Sequence, residues 1–255
     1  MIVLSPAALR GAFAFLTRLP AGGRDAEADW AAFRATPATF PVVGWVVGAL
    51  AALPLVAAGT LPAPTVALGY LLAVYLLTGI HHLDGVADCG DALVVHGGAD
   101  RRLAMLKDTT TGVGALLAVS VVVAGVALGG LGLAGLPVAA AVGIAVAAEV
   151  GAKVGMAALA CLGRAAREGL GSRLTAAADP AAVVAPVALG LPAAALGWPH
   201  PAPAVAAGGA LAGAALPWAW ARRRLGGVTG DVFGAANEVG RVVGLHAGVI
   251  AWTLW

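Results

Sequence analysis

The chain has 255 residues, of which 60% are hydrophobic and only 11% charged, with a formal net charge of +2 and a mean hydropathy of +0.92. Soluble domains carry about a quarter charged residues, so this composition excludes an ordinary soluble domain and offers nothing for a nucleic-acid partner. It predicts one integral-membrane domain over residues 1–255, an all-α polytopic transmembrane bundle of about seven spans embedded in the lipid bilayer.

Residues 6–20 are amphipathic and read as a partial or interfacial helix. Arg10 interrupts this segment and no small-residue cleavage site follows it, so it is not read as a signal peptide. Apolar runs then follow near 41–59, 63–80, 112–132, 137–161, 181–197, 203–220 and 242–255. Each but the last approaches the ~20 residues that cross a hydrocarbon core. Gly44/Gly48, Gly125/Gly129, Gly151/Gly155 and Gly209/Gly213 have the small-xxx-small spacing that lets helix backbones approach in lipid, although Gly and Ala are abundant throughout.

The charges set the orientation. Arg10, Arg18, Arg24 and Arg34 precede the first run, and Arg101, Arg102 and Lys107 follow the second. Arg164, Arg167 and Arg173 follow the fourth, and Arg222, Arg223, Arg224 and Arg241 lie between the sixth and the last. The alternate connections near 60–62, 133–136 and 198–202 contain no Lys or Arg. The basic connections therefore share one face, and the positive-inside rule makes it cytoplasmic, which predicts a plasma-membrane protein with 81–111, 162–180 and 221–241 on that face. Glu149 and Lys153 fall inside a run at i, i+4, as a structural pair or a substrate contact.

Directly after the second run, Asp84, Asp88 and Asp91 stand at i, i+4 and i+7, one stripe of a helix, with His81 extending it and His82 turned about 100° away. Three like charges on one face call for a cation between them, and oxygen ligands favour Mg²⁺. The duller reading is a solvated acidic helix start. Lys107, Asp108 and Thr109, followed by Thr110, Thr111 and Gly112, open the third run. They suit a phosphate at a helix N-terminus, or a helix cap alone. Arg164 and Arg167 precede a Gly-rich turn, as bidentate phosphate ligands or membrane anchors. In the segment Gly226–Glu238, Asp231 and Glu238 share a face and read as a second acidic half-site or as a cap with a solvated Glu. Cys89 and Cys161 have no metal spacing, and His200 and His246 stand alone.

In their order these motifs resemble the cobalamin synthase family, the adenosylcobinamide-GDP ribazoletransferases. The resemblance covers nearly the whole chain. It is carried by Phe15–Pro20, by Phe40–Gly44, and by His82-Leu83-Asp84-Gly85-Val86-Ala87-Asp88 with Asp91. Lys107-Asp108-Thr109 with Gly112, Arg167–Gly171, and Gly227–Asp231 with Gly234-Ala235 complete it. Thr109 stands where the family usually has Ser. The Arg usual near the middle of the fourth run is missing from its setting, with Lys153 the cation nearest to replace it. Other membrane phosphotransferases and prenyltransferases also use Asp-rich Mg²⁺ sites, but the CDP-alcohol type has Ala-Arg after its Asp-Gly where this chain has Ala87-Asp88. A transporter would need polar groups and broken helices at the midplane.

The resemblance implies that a hydroxyl of α-ribazole, or of its 5′-phosphate, attacks the cobinamide-proximal phosphorus of adenosylcobinamide-GDP and expels GMP. On that basis Asp84, Asp88 and Asp91 are expected to hold Mg²⁺ on the diphosphate. Lys107 and Arg167, with Asp108, Thr109 and Glu238, are expected to contact substrate. Asp231, His81 or His82 is expected to orient or deprotonate the attacking hydroxyl. Self-association is left open.

Overall fold

The computed structural model describes residues 4–23 and 25–255, and Arg24 of the first basic group lies outside them. Among the described residues there are twelve α-helices, short 3₁₀ turns and two isolated β-bridges, with no strand. The amphipathic start is helix α1 (Pro6–Leu16), with Pro6 in its first turn and the Ser5 side chain accepting from the Ala8 N–H at 3.1 Å. It packs against α2 (Ala26–Arg34), to which Arg10 is tied by a two-pronged pairing with Asp29 at 3.0 and 2.7 Å.

Four helical segments are long and apolar enough to cross a membrane. They are α3 (Thr39–Ala51, prolonged by a 3₁₀ turn to Ala57), α7 (Val113–Ala134), α8 (Val138–Leu162) and α11 (Ala202–Arg224). A fifth arises if α4 (Ala63–Thr78) and α5 (His81–Val94) are taken together, but these are bent by 95° at Gly79 and Ile80. α5 reaches from the start of α12 (Gly230–Leu254) to the start of α7, so it lies across one end of the bundle, outside the apolar spans.

α8 is the central helix. It is built of Ala, Gly and Val, and its most apolar stretch is 94% buried, against 28% for α7 and α11, which turn Leu116, Leu117, Val121, Leu128 and Leu216 outward. Exposed large apolar side chains on outer helices are what a hydrocarbon solvent demands. All four glycine pairs read from the sequence sit at helix crossings, where an added Cβ would come within 3.0 Å or less of Val150, Val146, Val242, Leu245, Ala207, Ala214, Ala247 or Val239.

Two expectations are corrected. The run 181–197 is not one span but a chain of short pieces, with 3₁₀ turns at Pro180–Val183 and Leu191–Ala195 around α10 (Val184–Gly190). Pro180 and Pro192 stand at the starts of the two 3₁₀ turns and Pro186 in the first turn of α10, positions that need no amide hydrogen, so short pieces begin at prolines instead of one helix running through. The last helix, α12, begins twelve residues before the run expected at 242 and extends for 25 residues. Arg241, assigned to a connecting loop, is instead fully buried three turns inside α12.

Chain direction sorts the connections. Those around 58–62, 135–137 and 196–201 share one end of the bundle, where Gly197 lies against Pro203 and Gly143 against Leu196. The opposite end carries α5, α6 (Ala99–Met105), α9 (Leu170–Thr175) and every described Lys or Arg except the buried Lys153 and Arg241.

Candidate active site

α5 contains two glycines that an isolated helix would disfavour, and both are explained by crossings. A Cβ on Gly85 would stand 2.5 Å from the Asp231 carbonyl oxygen, and one on Gly90 would stand 2.6 Å from that of Gly114. Gly234 of α12 answers from the other side, where a Cβ would stand 3.0 Å from the backbone of His82. These contacts press the acidic helix onto the start of α12 and bring Asp231 beside the first acidic motif. At its other end α5 is closed by Arg102, whose guanidinium donates to the Ala92 and Leu93 carbonyls. A cation there also meets the negative end of the helix dipole.

A cavity of about 610 Å³ opens at this junction. His81, His82 and Asp84 line it from α5, and Thr229, Gly230 and Asp231 from the start of α12. Lys107 and Arg167 also reach it, while Phe15, Met156, Leu170, Leu174 and Phe233 give it an apolar wall. The size is that of a site for a drug-sized or larger ligand portion.

Arg167 is held by donating from Nη1 to the Leu103 carbonyl at 3.0 Å, which leaves Nη2 3.9 Å from Asp231 Oδ2. Asp231 also accepts from Thr229 Oγ1 at 3.0 Å, and its half-burial raises its carboxyl above the usual range. The Arg167 segment is pinned to the turn before α12 by backbone bonds, Val228 N–H to Arg164 O at 2.8 Å and Ala166 N–H to Val228 O at 3.0 Å. Thus six residues marked in the sequence, His81, His82, Asp84, Lys107, Arg167 and Asp231, meet round one space.

Asp88 stands one turn behind Asp84. Burial, and then the charges of Asp231, Asp84 and Asp91, push its carboxyl up to about 6. Asp91, expected as a third metal ligand, is committed elsewhere. Its Oδ2 accepts the Gly112 N–H at 2.8 Å and its Oδ1 the Ala115 N–H at 2.9 Å, so it anchors the free amides at the start of α7. Among the described residues no three His, Cys, Asp or Glu side chains stand close enough to surround an ion by themselves. Asp84 lines the cavity, and Asp88 does not line it but feels the charges of both Asp84 and Asp231.

Asp108 and Thr109 do not line the cavity. Asp108 folds into a local turn, accepting from Thr110 N–H at 2.9 Å and Thr110 Oγ1 at 2.7 Å, which holds its carboxyl below the ordinary value. Glu238 does not line the cavity either and is fully buried, facing Tyr75 of α4 and His82 of α5.

There it joins a network that the sequence reading did not assemble. Arg241 donates from Nη1 to both Glu238 oxygens at 2.6 and 2.7 Å, and from Nε to Glu149 Oε2 at 2.6 Å. Lys153 Nζ donates to Glu149 Oε1 at 2.7 Å and to Asn237 Oδ1 at 2.6 Å. Tyr75 Oη donates to Glu238 at 3.3 Å. Glu149 and Lys153 are therefore a structural pair, without access to the cavity. The signal available was four charges, 149, 153, 238 and 241, at helical spacing within apolar sequence.

Apolar outer helices around a buried polar core, with acids and cations gathered at one end of the bundle, are the build of a membrane-embedded enzyme that handles a charged substrate. The chain belongs to the cobalamin-5-phosphate synthase family, whose model matches residues 8–249. It is 56% identical over 96% of its length to a protein of Halorubrum lacusprofundi, 98% of which is covered. To a protein of Haloquadratum walsbyi it is 43% identical, with 97% and 98% covered. To one of Escherichia coli O157:H7 it is 33% identical, with 91% and 95% covered. All three relatives are named adenosylcobinamide-GDP ribazoletransferase. No solved structure matches the chain.

Proposed function

We propose that this chain is an adenosylcobinamide-GDP ribazoletransferase. It joins the cobinamide phosphate of adenosylcobinamide-GDP to α-ribazole, or to its 5′-phosphate, and releases GMP. The observation that carries the reading is the meeting of Asp84, Lys107, Arg167 and Asp231 at one cavity, in a chain that aligns end to end with relatives of that name.

The roles follow from position. Lys107 and Arg167 bind the diphosphate and neutralise part of its charge, Arg167 with its guanidinium oriented by Leu103. Asp231, held by Thr229, orients the attacking hydroxyl and accepts its proton. Asp84 and Asp88 would hold Mg²⁺, which would supply charge neutralisation at the diphosphate. The apolar wall from Phe15 to Phe233 excludes water from the reacting phosphorus.

Incubation of the detergent-purified protein with adenosylcobinamide-GDP, α-ribazole and Mg²⁺ is expected to yield GMP, and chelation to abolish it. Asp231→Asn should lower turnover about a hundredfold, the scale of a lost acid–base contact, with the fold retained. Near-normal turnover would reduce Asp231 to an acid in the first turn of α12, behind the capping Thr229, that serves only the helix dipole.

The bundle end that carries the cavity also carries the basic connections, which supports a cytoplasmic active site in the plasma membrane. A Cys placed at exposed Trp198 should be labelled by an impermeant reagent from outside intact cells, and one placed at exposed Gly98 should be spared. The native Cys89 and Cys161 are buried and give little background. The reverse pattern would overturn the orientation.

A further inference from the structure

His82 is one of two histidines at the cavity, and the side chains behind it fix where its proton sits. Lys153 Nζ can only donate, and it holds Asn237 Oδ1 at 2.6 Å. The Glu238 carboxylate can only accept, and its Oε1 stands 3.1 Å from Asn237 Nδ2. Both neighbours therefore orient the Asn237 amide the same way, with its NH₂ group toward His82. That NH₂ group lies 3.1 Å from His82 Nδ1. An imidazole nitrogen facing an N–H must accept, so it carries no hydrogen and the ring proton is on Nε2.

Glu238 does not reverse this. Its Oε1 is 3.7 Å from Nδ1, beyond hydrogen-bond reach, and Arg241 occupies both of its oxygens. At the other end of the ring, Nε2 has no protein partner among the described residues, is not sealed from solvent, and belongs to a side chain that lines the cavity.

We propose that His82 acts as a fixed Nε2–H hydrogen-bond donor to the substrate, with Asn237 and Lys153 as the positioning residues that lock its tautomer. The proposal rests on the transferase reading for the identity of the acceptor, a phosphate oxygen of the diphosphate or the oxygen that develops charge during transfer. A donor pre-aimed at that oxygen stabilises it without reorganising. The same tautomer cannot take a proton on Nε2, so His82 is not the base for the attacking hydroxyl, and that role stays with Asp231.

The test uses full-length protein labelled with ¹⁵N in its histidines, in detergent, with the His82 signals identified by their loss in His82→Gln. Nδ1 is expected to show as an unprotonated nitrogen and Nε2 as a protonated one. In the transfer assay His82→Gln, which keeps an N–H near the position of Nε2, should stay within about tenfold of the wild type, and His82→Ala should fall about a hundredfold. Asn237→Asp, which puts an acceptor where the donor was, should move the ring proton to Nδ1 and lower kcat to the level of His82→Ala. A wild-type ring protonated on Nδ1, or on both nitrogens, would overturn the proposal. So would a folded His82→Gln as inactive as His82→Ala. Should the wild type release no GMP, the transferase reading fails while the ¹⁵N pattern still decides the tautomer.

Discussion

Arg241→Met is expected to lower stability by about 3–5 kcal/mol, the cost of leaving buried charge without its partner. Arg241 is fully enclosed and, among the described residues, is the one group that bonds both Glu149 and Glu238. Its removal leaves two carboxylates with Lys153 as their single cationic neighbour in the network. Water cannot solvate the surplus, because α8 and α12 close over the site with Ala152 and Gly240 in contact. Thermal unfolding in detergent, followed through tryptophan fluorescence, is the measurement. A companion variant sharpens it. Removing Glu149 as well, as Glu149→Gln with Arg241→Met, should cost less than the sum of the two single changes, since residues in one network are not additive. A loss below about 1 kcal/mol in Arg241→Met, the size of an exposed pair, would mean that water reaches the network.

The same residue shows what the sequence conveyed and what it did not. The acidic helix was legible because Asp84, Asp88 and Asp91 fall at helical spacing between apolar runs, and α5 covers all three. The glycine pairs were legible for a similar reason: spacing alone places both members on one face, and the crossings use them. Arg241 was misplaced because loop boundaries were drawn from hydropathy. A charged group whose partners lie on the same and on a facing helix satisfies itself inside the bundle and leaves no loop signature. Asn237 was invisible for the same reason, since its meaning depends on Lys153, 84 residues away in sequence. The broken segment after Asp179 was a matter of weighing. Its mean hydropathy suggested a span, but three prolines decide whether apolar residues form one helix or several short ones.

On the proposed function the acidic stripe is expected to divide into two roles, and substitution by Asn should separate them. Asp84 is exposed at the cavity and bonds no backbone group among the described residues, so Asp84→Asn should leave stability unchanged. It should also lower turnover by about a hundredfold, the effect of one lost charge-stabilising contact, with a raised requirement for Mg²⁺. Asp91 is the opposite case. Both of its oxygens receive backbone N–H groups across the α5–α7 contact, at 2.8 and 2.9 Å. An Asn amide can serve one of those donors and must present its own N–H to the other, so Asp91→Asn should cost about 1–3 kcal/mol, the penalty for an unsatisfied buried donor. Gly112 and Gly114 crowd this carboxylate closely enough that the amide cannot swing aside, since a Cβ on either would meet it within 3.0 Å. The Mg²⁺ dependence of the Asp91→Asn protein that does fold should match that of the wild type. Unfolding curves and Mg²⁺ titrations of turnover on both variants decide the matter. If Asp91→Asn is as stable as the wild type and shifts the Mg²⁺ requirement as Asp84→Asn does, all three carboxylates act on one ion and the anchoring of α7 is incidental.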